Sequence, residues 1–128
     1  MDPAELFYSP THEWVHFEGE TATVGISRFA VDQLSDLTMI DLPEVGRRLE
    51  QGKSFGEIES VKSVSDLYAP VAGEVIEVNS AVANDLQILS EDPYNKGWLI
   101  RIKLDNPSRP EGLLDYPSYQ KQIADDAH

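Results

Sequence analysis

Apolar and polar residues alternate with a period of two through much of the chain, and glycine, proline and asparagine interrupt the alternation at short intervals. The clearest run is Trp98 to Leu104, where Trp98, Ile100, Ile102 and Leu104 alternate with Arg101 and Lys103. Further strands are predicted over Glu13 to Phe17, Thr21 to Ile26, Thr38 to Leu42, Ser54 to Glu59, Asp66 to Val71 and Glu74 to Val78. The interruptions fall at Glu18-Gly19-Glu20, Pro43 to Gly46, Gly52, Ala72-Gly73 and Asn79-Ser80, a spacing that favours a small β sandwich or barrel. Two helices are expected at the edges of this pattern. Ser27 is placed to cap one running through Leu34, and Pro117-Ser118 to open another running through Ala124. Neither looks like the main core.

Composition narrows the picture. At 128 residues, with 41% hydrophobic positions and no long linker, the chain is expected to form one domain over residues 1–128. No apolar run approaches the ~20 residues of a membrane span. A formal charge of −13 would repel nucleic acid and anionic bilayers, so neutral or basic partners and salt-sensitive association are expected. The start, Met1-Asp2-Pro3-Ala4-Glu5, carries neither a secretory signal nor a transit pattern, and the cytoplasm is the default expectation. There is no cysteine, so sulfur redox chemistry would have to arrive on a cofactor.

Two short motifs imitate catalytic sites. His12-Glu13-Trp14-Val15-His16 matches the H-E-x-x-H pattern of zinc hydrolases, in which a helix brings both histidines to one metal. Pro10 lies just before it, Trp14, Val15 and Phe17 favour a strand, and a turn follows. On a strand His12 and His16 would sit on the same face but two pleats apart, about 13 Å along the backbone at a ~3.3 Å rise, poorly placed to share a tetrahedral site. Gly46 to Ser54 resembles a phosphate-binding loop, but five residues separate Gly46 from Gly52-Lys53 where the pattern needs four, and a strand follows instead of a helix. Lys53 therefore reads as a solvated lysine.

The stretch Gly56 to Val75, "GEIESVKSVSDLYAPVAGEV", predicts a hairpin with Lys62 near its tip. That tip lacks Asn-Gly or Asp-Gly, and Val61 and Val64 are poor turn formers. A broken local rule of this kind has a functional constraint among its causes, the alternative being an exposed lysine in an ordinary hairpin.

This stretch closely resembles the lipoyl-attachment segment of the glycine cleavage system H proteins. The resemblance continues through "YSPTHEWV" at Tyr8, "VGIS" at Val24, "LPEVG" at Leu42 and "EDPYNKGWLIRI" at Glu91. It implies a lipoyl-type barrel-sandwich of two small antiparallel sheets, with extra N-terminal strands and short peripheral helices including one at the C-terminus. It also implies a non-catalytic carrier with lipoate attached to Lys62, and with Glu59 recognised by the lipoylating enzymes. Val61 and Ser63 stand where biotin carriers usually have methionine, which disfavours biotin.

By the same resemblance the lipoyl arm, roughly 15 Å long at ~1.5 Å per bond, takes the aminomethyl group of glycine from a pyridoxal-phosphate glycine decarboxylase. It passes that group to a folate-dependent aminomethyltransferase and is reoxidised by dihydrolipoamide dehydrogenase. Glu13 and Asp66 match carboxylates implicated in holding the cationic cargo in a cleft between transfers. Without the resemblance, Glu13 reads as a strand-end carboxylate and Asp66 as a turn residue. The sequence departs from the family at Arg28-Phe29, Ser35 and Asn95, which leaves a lipoyl or octanoyl donor to other enzymes as an alternative to glycine breakdown.

Overall fold

The computed structural model describes residues 2–34, 36–106 and 111–126, so Ser35 and His128 lie outside the described residues. The strands are β1 (Phe7–Tyr8), β2 (Glu13–Glu18), β3 (Thr21–Ile26), β4 (Leu37–Asp41), β5 (Arg48–Leu49), β6 (Ser54–Ser60), β7 (Val64–Tyr68), β8 (Gly73–Val78) and β9 (Ile100–Leu104). The helices are α1 (Arg28–Leu34), α2 (Ser80–Asn84), α3 (Gln87–Glu91) and α4 (Tyr116–Asp126), with a 3₁₀ turn at Pro3–Glu5. One sheet has the order β1-β2-β3-β9-β8-β5 and the other β4-β6-β7, and the pairings are antiparallel. Inward residues such as Val24, Ile58, Leu67, Val75 and Ile102 fill the space between them, each almost fully buried. This is the two-sheet, mainly β architecture that the period-two pattern predicts.

The Trp14 ring shows how the N-terminal strands lock together. Trp14 lies directly across from Gly25 in the β2–β3 ladder. A Cβ at Gly25 would stand 2.5 Å from the indole, so the ring occupies the space a side chain would need. Its Nε1–H donates to Pro93 O at 3.0 Å. Trp14 thereby joins a second buried cluster with Leu6, Tyr8 and Tyr119, separate from the intersheet core. Tyr119 comes from α4, so the C-terminal helix closes this smaller core, and it does more than flank the fold. Its N-cap contact comes from Asp115, whose Oδ1 accepts from Ser118 N at 3.0 Å; the helix begins at Tyr116, ahead of the expected Pro117.

Several expected boundaries move for identifiable reasons. β7 spans Val64–Tyr68 in place of Asp66 to Val71, because Ser60 closes the turn early and Pro70 cannot extend the ladder. β9 begins at Ile100 because the Asn79 side chain captures Lys96 O and Trp98 O at 2.9 and 2.7 Å. β4 runs Leu37–Asp41, one residue earlier than expected. The strands β1 and β5 and the helices α2 and α3 were not predicted; two residues are too few for a period, and five-residue helices give barely one turn.

Candidate functional site

Lys62 is exposed at the tip of the β6–β7 hairpin, between Ser60 and Val64. The missing Asn-Gly chemistry is replaced by a serine. Ser60 Oγ accepts from Lys62 N at 3.3 Å and from Ser63 N at 3.2 Å, while Ser60 N donates to Ser63 O at 2.8 Å. Val61 N donates to Asp36 O at 3.1 Å, which braces the turn against the segment before β4. The backbone under Lys62 is thus pinned while its side chain points to solvent. Val61 and Val64, beside it, are 71% and 58% exposed, so the lysine is flanked by apolar surface.

Below the hairpin lies a cleft of about 270 Å³. One wall is β6–β7, through Ile58, Ser65, Asp66 and Leu67; the second is α1, through Ala30, Gln33 and Leu34; the third is the turn Thr11-His12-Glu13. The floor is mostly apolar, and two carboxylates reach it. Asp66 is exposed, with Tyr68 Oη 3.4 Å from its Oδ2. Glu13 is 1% exposed and is the first residue of β2.

The Glu13 carboxylate is built into the fold. Ser9 Oγ donates to Oε1 at 2.5 Å, Thr11 Oγ1 donates to the same oxygen, and Tyr68 N donates to Oε2 at 3.1 Å. Burial pushes its carboxyl above the usual glutamate range, and these hydrogen bonds pull the other way. The alternation Ser9-x-Thr11-x-Glu13 is the sequence signal that could have revealed the hydroxyl pair, but period two alone also describes an ordinary strand. The Tyr68 contribution is a backbone group and leaves no trace in side-chain identity.

The two histidines of the zinc-like motif are separated by the backbone. His16 lies on β2 with Nε2 3.1 Å from Glu18 Oε1. His12 is not on the strand: it precedes β2 at a φ of 82°, a left-handed conformation that costs a non-glycine residue roughly 1–2 kcal/mol. Its Nδ1 lies 2.8 Å from Tyr119 Oη. The pair therefore does not share one strand face, contrary to the sequence expectation. Glu59 is half-buried on β6, aligned with Met39 and Val64 across the three-stranded sheet; it lies outside the cleft lined by Glu13 and Asp66.

Two departures noted in the sequence acquire structural partners. The Arg28 guanidinium donates to Ser90 O at 2.5 Å and Glu91 O at 2.9 Å, and its backbone N donates to Tyr94 Oη at 3.0 Å. It ties α1, a wall of the cleft, to the carboxyl end of α3. Phe29 packs against the His12 ring with centroids 5.1 Å apart.

The two-sheet architecture with its short helices is a lipoyl-type barrel-sandwich. Residues 6–126 match the family described as glycine cleavage H-protein. The glycine cleavage system H protein of Nitratidesulfovibrio vulgaris (strain DP4) is 51% identical over 126 residues, covering 98% of each chain. That of Symbiobacterium thermophilum is 48% identical over 117 residues, covering 91% of each. The crystal structure of a glycine cleavage system H protein from Mycobacterium marinum superposes with a TM-score of 0.84 at 34% identity, covering 99% of this chain and 100% of that one. The chain belongs to the glycine cleavage H-protein family, a carrier component of a multienzyme system and not a catalyst. Among the described residues, no helix is long and apolar enough to cross a membrane.

Proposed function

We propose that the protein carries lipoate as an amide on Lys62 and conveys the aminomethyl group of glycine between the enzymes of the glycine cleavage system. The observation that carries this reading is Lys62 itself, exposed on a serine-pinned hairpin tip beside an apolar cleft bearing two carboxylates. The residues suit the group. Ile26, Ala30, Leu34 and Leu67 offer an apolar lining for a methylene chain, and Glu13 with Asp66 offers negative charge to a cationic end. When attached, lipoate supplies the sulfur that accepts the aminomethyl group and the dithiol that is later reoxidised.

The chain's own part is to hold, shield and present. Glu13, kept in place by Ser9, Thr11 and the Tyr68 amide, accepts from the ammonium end of the cargo, and exposed Asp66 adds a second negative charge at the cleft. The apolar walls keep water from the reactive carbon. Glu59, three residues before Lys62, serves recognition by the lipoylating enzymes. The partners are glycine decarboxylase, the folate-dependent aminomethyltransferase and dihydrolipoamide dehydrogenase.

Intact-mass and peptide analysis of protein made in a lipoylating host is the direct test. A lipoyl adduct on Lys62, absent from Lys62→Arg, is expected. A bare Lys62 in a host that lipoylates its other carriers would refute the proposal.

A further inference from the structure

The three-stranded sheet ends at β7, and no strand pairs with its outer edge among the described residues. The hairpin turn decides which backbone groups lie on that edge. Ser60 N donates to Ser63 O across the hairpin, while Val61 N donates to Asp36 O on the β4 side. The even-numbered residues of β6 therefore bond to β7 and the odd-numbered ones to β4, and the register is unbroken from Glu59 opposite Val64 to Gly56 opposite Leu67. Ser65 and Leu67 face β6, so the N–H and C=O groups of Val64 and Asp66 turn outward. Tyr68 N is the next in this series, and it is the amide that donates to Glu13 Oε2 at 3.1 Å.

This edge opens on the cleft, whose lining includes Ser63, Ser65, Asp66 and Leu67. The outward N–H groups of Asp66 and Tyr68 stand in line there, about 6.6 Å apart at a ~3.3 Å rise. Tyr68 N–H holds the Glu13 carboxylate, whereas no protein group among the described residues takes the Asp66 N–H. An unpaired strand edge offers its free N–H and C=O groups to any amide laid along it. The lipoyl arm carries one amide, the bond that joins it to Lys62.

We propose that Asp66 N–H donates to the carbonyl of that amide, so that the outer edge of β7 sets how far along the cleft the arm lies. The inference rests on the carrier reading given above. The lengths agree with it. Asp66 is four residues past Lys62, about 13 Å along a strand at ~3.3 Å per residue. The six bonds from the Lys62 Cα to the amide carbon span roughly 9 Å at ~1.5 Å per bond, and the C=O with its hydrogen bond adds roughly 4 Å. About six further bonds, again ~9 Å, separate the amide carbon from the nearer sulfur. That is enough to carry the cargo past the Tyr68 amide to Glu13. Asp66 thus acts twice, its backbone registering the arm and its carboxylate adding charge at the cleft.

Amide hydrogen exchange read by NMR tests the docking directly. The lipoylated protein is compared with Lys62→Gln, which is neutral at the same position and has no arm. Exchange at Asp66 N–H should be about fivefold slower in the lipoylated protein, the equivalent of one hydrogen bond. Val64 N–H also faces outward and lies nearer residue 62, so simple shielding by the arm would appear there first; it should not change. Lipoylated Asp66→Asn, which keeps the N–H, should keep the protection. The second readout is hydrolysis of the loaded protein. Water enters, the C–S bond breaks, the sulfur leaves as a thiol, and the carbon and nitrogen leave as formaldehyde and ammonium. Asp66→Pro removes the N–H at an outward-facing edge position, where a strand tolerates proline, and should release about fivefold faster than Asp66→Asn.

Equal exchange at Asp66 N–H with and without the arm would overturn the proposal, as would slowing that is equal at Val64 and Asp66. Those two outcomes need no variant of the strand, so they stand even if Asp66→Pro folds poorly. A folded Asp66→Pro that releases no faster than Asp66→Asn would also overturn it. A Lys62 that takes no lipoyl group defeats the carrier reading and this inference together, whereas a lipoylated protein with an unprotected Asp66 N–H defeats this inference alone.

Discussion

Glu13→Gln separates the stability of the cleft from its charge. The substitution is nearly isosteric, and its hydrogen bonds can be satisfied in one orientation. The amide oxygen accepts Tyr68 N–H, while the amide nitrogen donates to Ser9 and Thr11, whose hydroxyls reverse from donors to acceptors. Burial raises the pKa of Glu13 above its ordinary 4.5. The stabilising contribution of such an acid is fully present below that ordinary value and is lost as pH rises through the raised folded value. At neutral pH, every tenfold weakening of Glu13 as an acid therefore costs the fold about 1.4 kcal/mol, a cost glutamine does not bear. Chemical denaturation should find Glu13→Gln equal to or more stable than the parent at pH 7, with the advantage shrinking toward pH 4. Cargo retention should move oppositely. Loss of one charge-assisted hydrogen bond of about 1.5–3 kcal/mol predicts formaldehyde release roughly 10- to 150-fold faster from loaded protein. A variant that holds its cargo as long as the parent would refute the assignment of Glu13. One that is destabilised by several kcal/mol at pH 7 would refute the account of its burial.

Three further outcomes are expected from the fold. Gly25→Ala places a Cβ 2.5 Å from the Trp14 ring and should cost about 1–3 kcal/mol in denaturant unfolding, with altered tryptophan fluorescence. Ser60→Ala removes the acceptor for Lys62 N and Ser63 N, so these amides should exchange faster with solvent at a stability cost of about 1 kcal/mol. Asp41, Glu57 and Asp66 stand in register across β4-β6-β7, all exposed, so the row sets like charges directly opposite one another. Glu57→Lys should stabilise the protein by about 0.2–1 kcal/mol per relieved pair, with the gain shrinking as salt is raised; no gain at low salt would count against the pairing.

The chain's pattern was most legible where many residues vote together. Thr21 to Ile26 is β3 to the residue, and Ser27 caps α1 through Ala30 N as its position implied. Short elements escaped because their signal is shorter than one period: β1 exists through its pairing with β2 and a bridge to Leu114. In the site, the unusual hairpin tip drew attention to Lys62 but also fitted an ordinary exposed lysine, and the resemblance of the surrounding segment to the H proteins is what singled it out. The means by which the turn still closes, Ser60 Oγ bonding two amides, depends on rotamer and backbone geometry that residue type does not specify.

By itself the sequence determined a small, mainly β carrier with a lysine on an exposed hairpin, because alternation, turn residues and ordered motif blocks are all local along the chain. Only the tertiary structure decided what surrounds that lysine. It moved His12 off the strand, buried Glu13 beneath two hydroxyls and a distant amide, and brought Tyr119 from α4 to the turn more than a hundred residues away. These contacts join segments that share no spacing, so they appear only when folding has closed the loops between them.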